Sequence, residues 1–231
     1  VDAATLPLQP GEALRSGTAA QVPLVIGTNR DELNLFMAAA LRELDKPMSD
    51  ERATEVLSRE LPSRSAERIP SMLETYRGSR ASRGLPSNNR ALLGAIQTDF
   101  RFRMPSIAFA EAHGSRQPET FMYLFTYESP AMRGALRACH ALEIPFVFGT
   151  LDAPLQDRFV GKGEAVEALS QTMMDSWLAF SRNGNPSTEG LGAWNAYEPG
   201  RRATMVFDRA CALQDAPFEE ERASWTGVFE R

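Results

Sequence analysis

Histidine and cysteine are scarce in this sequence, with two of each in 231 residues, and the scarcity excludes several chemistries. Cys139 and Cys211 can form one disulfide at most and cannot build a disulfide framework or a four-ligand zinc site. No metal and no organic cofactor is therefore expected. No stretch approaches the roughly 18 uninterrupted apolar residues of a membrane span, so no membrane partner is expected either. The first residues, Val1-Asp2-Ala3-Ala4-Thr5, lack the basic-then-apolar layout of a signal peptide. There is also no N-x-S/T sequon with a permitted middle residue. A cytoplasmic location is the expectation over a secreted one.

Positive charge is in short supply as well. Lys and Arg total 25 against 30 Asp and Glu, a net charge of -5, with a pI near 5.3. That balance argues against a nucleic-acid partner, because phosphate binding draws on clustered cations. The densest arginine stretch, Arg77 to Arg90, is interspersed with Gly78, Ser79, Gly84, Pro86 and Ser87 and reads as a solvated loop.

What remains is an ordinary globular composition, with 43% apolar and 24% charged residues and a mean hydropathy of -0.31. A chain of this length can bury roughly 70–75% of its unfolded surface. Val22-Pro23-Leu24-Val25-Ile26-Gly27 is a short apolar run closing on glycine, the pattern of a strand buried on both faces of a parallel sheet. Phe121 to Tyr127 predicts a second buried strand and Thr204 to Phe207 a third. Helices are predicted over 49–60, with Ser49 as N-cap, and near 65–77, 88–101 and 105–113. A long helix from about Gly163 to Arg182 has Val166, Leu169, Met173, Trp177 and Phe180 on one face and stops at Asn183-Gly184-Asn185-Pro186. A final helix is predicted from Phe218 to Arg231.

The pattern is α/β, helix-rich, with about three strands against six or seven helices. A parallel sheet this narrow leaves a long apolar edge unpaired, which templates aggregation. More of the sheet is expected elsewhere.

His140 lies in a loop after the second strand, and the acidic pair Asp31-Glu32 follows the first. On open α/β sheets, ligands sit beyond the carboxyl ends of the strands. An imidazole with a carboxylate that fixes its tautomer is the orienting half of a Ser-His-acid triad. Glu143, three residues from His140, is an alternative acid, or a hydrogen-bonding group that holds the loop. His113 ends a predicted helix, where an imidazole meets the C-terminal dipole. Cys139 neighbours His140, but adjacent side chains in extended chain point apart, which argues against a Cys-His dyad.

Gly27-Thr28-Asn29-Arg30-Asp31-Glu32, followed by Phe36, resembles the acid-bearing segment of the type-B carboxylesterases, the family of para-nitrobenzyl esterases and cholinesterases. Cys139-His140-Ala141-Leu142-Glu143-Ile144-Pro145-Phe146-Val147-Phe148-Gly149 resembles their histidine segment, in its bacterial form. Thr98-Asp99-Phe100 through Pro105, Trp177 with Phe180, Gly184-Asn185-Pro186, and Trp194 with Tyr197 follow in the family's order. The resemblance implies an α/β-hydrolase fold and hydrolysis of carboxylic esters through an acyl-enzyme. It assigns Glu32 as triad acid, His140 as general base and Glu143 as a supporting electrostatic group. Leu33 stands where family members often have glycine.

No G-x-S-x-G nucleophile turn occurs in the sequence, nor a His-Gly-Gly oxyanion segment. In this fold the triad runs Ser, acid, His along the chain. The chain is thus expected to be the C-terminal part of a carboxylesterase, inactive alone, with the N-terminal part of the same protein as its partner. Phe36, Leu35, Met132 and Leu136 flank the site segments and are the candidate contacts for a small apolar ester. The alternative is a non-catalytic, esterase-like binding or adhesion domain, since fold likeness alone does not establish activity.

Overall fold

The computed structural model describes residues 2, 4–5, 7–18, 20–37 and 47–228. One sheet runs through it in the order β1 (Leu24–Asn29), β2 (Thr120–Phe125), β3 (Ala203–Phe207) and β4 (Ala212–Asp215). The first three strands are parallel, and β4 returns antiparallel against β3. The sequence reading missed β4 because its residues are mostly exposed and show no apolar face. β1 reaches two residues beyond the apolar run, since Thr28 and Asn29 continue the ladder opposite Leu124 and Phe125. Gly27 is required within it: a Cβ there would run into the ring and the carbonyl of Tyr123.

Parallel strands need crossover connections, and helices supply them. Between β1 and β2 lie α2 (Leu33–Phe36), α3 (Asp50–Glu60), α4 (Ile69–Ser82), α5 (Asn89–Thr98) and α6 (Met104–Gly114); α1 (Pro10–Ser16), not anticipated from sequence, precedes β1. Ser49 and Asn88 cap α3 and α5 by accepting backbone N–H bonds from Arg52 and Ala91. A π-helical turn, Asp99–Arg103, joins α5 to α6. Between β2 and β3 lie α7 (Ile144–Val147), α8 (Gln156–Val160) and α9 (Glu164–Asn183), the last ended by Gly184 at φ +76°. α10 (Glu219–Ala223) is shorter than the final helix expected, giving way to turns up to Val228; residues 229–231 lie outside the described ones.

The apolar side chains gather in two main cores. One packs the sheet against α7 and α9, with Phe125, Phe146, Met173, Trp194 and Phe207 buried. The other is helical, built from Leu57, Ile69, Tyr76, Leu92 and Ile96 with Trp225. Each fully buried side chain of this size contributes about 1.5–3 kcal/mol relative to exposure. The arginine stretch is not the solvated loop its composition suggested. α4 continues through Ser82, and Arg80 is buried because its guanidinium meets Asp31 at 2.9 Å. Among the described residues no helix is long and apolar enough to cross a membrane.

Candidate active site

Two loops leave the carboxyl ends of neighbouring parallel strands, one after β1 and one after β2. The backbone stitches them together. Arg30 N–H donates to Phe125 O and Asp31 N–H to Ala138 O, both at 2.9 Å, and His140 N–H donates to Glu32 O at 3.3 Å. The β2 loop is held from below, where Tyr127 OH and Ser129 OH donate to the carbonyls of Val160 and Phe159.

These bonds bring together two side chains 108 positions apart in the chain. Glu32 Oε2 lies 2.7 Å from His140 Nδ1, and Glu32 Oε1 accepts the Asn29 N–H at 2.7 Å. Facing a carboxylate, Nδ1 is the protonated nitrogen of the neutral ring, which leaves the Nε2 lone pair outward. Nε2 makes no hydrogen bond to a described residue, and the imidazole is 42% exposed while Glu32 is buried. Phe36 and Phe102 flank the ring, with centroids at 5.1 and 5.3 Å. Burial raises the Glu32 pKa above the ordinary carboxylate value, with the Asn29 N–H and His140 opposing the rise and Glu143 adding to it.

Asp31 next door has no part in this pair. Its carboxylate is held between Arg80 and Arg30, each at 2.9 Å, and all three side chains are largely buried. Burial would push its pKa up, but the two guanidinium groups outweigh that and hold it below the usual range.

Of the other residues singled out from sequence, Phe36 alone packs its ring against His140. Glu143 accepts a hydrogen bond from Asn29 Nδ2 and has no contact of this kind with the imidazole. Leu136 is buried in the sheet core and Leu35 packs against it. Met132 is exposed, at φ +52°, and lines a separate cleft with Asn34, Arg80 and Arg137. His113 is a buried structural residue whose Nε2 meets Val22 O at 2.9 Å. Cys139 is fully buried and its thiol is pushed up to about 12 by that burial, so it is no nucleophile; both cysteines are free. Phe102 and Asn29 were not anticipated as site residues. Phe102 sits in an arginine-rich turn with no apolar period to mark it, and Asn29 stands among the polar residues after the first apolar run, where the two acids draw the attention.

A family model described as the carboxylesterase family matches residues 1–225. The chain belongs to the carboxylesterase family. It is 32% identical over 222 residues to the para-nitrobenzyl esterase of Bacillus subtilis (strain 168), covering 96% of this chain and 41% of that protein. Mouse (Mus musculus) carboxylesterase 1C is 31% identical over 240 residues, with 99% and 41% covered. Among solved structures, the Geobacillus stearothermophilus carboxylesterase EST55 superposes with a TM-score of 0.76 at 32% identity, over 97% of this chain and 44% of that one. The sheet and helices described above are thus part of a carboxylesterase α/β-hydrolase fold, and the chain spans about two fifths of the length of these relatives.

Proposed function

We propose that this chain carries the acid and the general base of a serine carboxylesterase, with the nucleophile and oxyanion donors supplied by the N-terminal part of the same protein. The observation that carries the reading is the 2.7 Å contact between His140 Nδ1 and Glu32, in an imidazole that is 42% exposed and packed beside Phe36 and Phe102. In the complete protein, His140 Nε2 takes the proton of the attacking serine hydroxyl and later returns it to the leaving alcohol. Glu32 fixes the tautomer and stabilises the imidazolium formed in each half-reaction. The aromatic flanks suit an apolar, uncharged ester. Relatives are named for esters as different as those of a cocaine esterase and an acylcarnitine hydrolase, so the proposal stops at that class.

The test is hydrolysis of a short-chain p-nitrophenyl ester by the chain alone and by the complete protein. The chain alone is expected to be silent, since each missing oxyanion donor is worth about 10²–10³ in rate and the covalent step is absent as well. The complete protein is expected to turn over the same ester. His140→Ala should remove about 10⁴-fold or more of that activity. A complete protein whose rate survives this substitution sinks the assignment.

A further inference from the structure

Asn29 lies at the last position of β1, opposite Phe125, and is 1% exposed. Its backbone N–H donates to Glu32 Oε1 at 2.7 Å. Its side-chain Nδ2 donates to the carbonyl of Cys139, the residue before His140, at 2.7 Å, and to Oε2 of Glu143, three residues after it. Both side-chain partners are acceptors, so the amide orientation is fixed: Nδ2 faces the histidine loop and Oδ1 faces away, with no partner among the described residues.

We infer that Asn29 is a positioning residue for the Glu32–His140 pair, holding the acid through its backbone and the histidine loop on both sides of His140 through its amide. This rests on the reading of that pair as catalytic. The chemistry is specific to an amide. Aspartate has the same shape but would aim oxygen at the Cys139 carbonyl and at the Glu143 carboxylate, three acceptors with no proton among them. Alanine would leave the carbonyl and the carboxylate without their shared donor. Neither change touches the Asn29 N–H bond to Glu32, so the defect falls on the placement of His140. An error in placing a reacting group of about 1 Å lowers the rate by about 10²-fold.

In the complete protein, assayed with a p-nitrophenyl ester, Asn29→Asp is expected to lower kcat by about 10²-fold with KM little changed. Adding Glu143→Gln puts a donor opposite the new carboxylate and is expected to recover about tenfold of that loss. An Asn29→Asp enzyme with wild-type kcat overturns the inference, as does a loss that Glu143→Gln leaves untouched in protein that melts like wild type. If Asn29→Asp does not fold, Asn29→Ala and Glu143→Gln settle the matter as a double-mutant cycle. Losses in kcat that overlap support the clamp, and losses that multiply independently overturn it. His140→Ala in the same series separates the two readings. If it is harmless, the catalytic pair itself is wrong; if it is inactive while the Asn29 variants are not, only the role of Asn29 is wrong.

Discussion

Asp31 and Glu32 are consecutive, carry the same charge and are both buried, yet they belong to different regions with different physics. Asp31 faces the helical layer, where Arg80 from α4 and Arg30 close around its carboxylate. Glu32 faces the other loop, where its partner is a half-exposed imidazole and its pKa is raised rather than lowered. The same helical layer continues the pattern. Asp99 chelates Arg103 through both oxygens, Tyr76 OH donates to Asp99, and Trp225 Nε1–H donates to Tyr76. In that region the charged side chains are paired with one another. In the other, His140 Nε2 makes no hydrogen bond to a described residue, in a ring that is 42% exposed.

The largest way to sharpen the contrast is to neutralise each acid in turn in the complete protein. Glu32→Gln is expected to lower kcat/KM by about 10³–10⁴-fold by disturbing the tautomer, as loss of the acid does in Ser-His-Asp triads, while the melting temperature stays close to wild type. Esterase kinetics and a thermal melt on the same sample check both halves. Arg80→Met attacks the other region. It leaves Asp31 with one guanidinium, and breaking a buried pair typically costs about 3–5 kcal/mol. A denaturation midpoint close to wild type would mean that Arg30 alone satisfies Asp31.

Gly27→Ala strikes the strand beneath both residues. The added methyl meets the Tyr123 ring and its backbone carbonyl, so a loss of about 1–3 kcal/mol is expected from overpacking, read by the same denaturation curve. The smallest effect concerns pH. Burial, then the neighbouring Asp99, raise the Glu221 pKa from its ordinary 4.5 to about 7. Its contribution is present below about pH 4.5 and is lost as pH rises through about 7, because the folded form holds the proton more tightly than the unfolded one. Asp31 runs the opposite way: its folded pKa is depressed, so its contribution is present above about pH 3.9 and disappears as pH falls through the folded value. Melting temperatures between pH 5 and 8 should therefore decline in the wild type and flatten in Glu221→Gln. Parallel slopes for the two proteins would rule out Glu221 as the source.

The sequence by itself determined the three apolar strands, the main helices and their caps, because burial on both faces, helical spacing and N-cap chemistry are local. It also determined which residues could carry acid–base chemistry, since two histidines leave little choice and the motifs around Glu32 and His140 are contiguous. β4 escaped because an exposed edge strand has no apolar signature, and the arginine stretch misled because its neutralising partner, Asp31, is 49 positions away from Arg80. Only the tertiary structure could decide that Asp31 turns to Arg80, that Phe102 lies beside the imidazole, and that Asn29 spans both loops. Those outcomes depend on parallel strands bringing distant loops side by side, and a contact made across more than a hundred residues leaves no trace in the order of either segment.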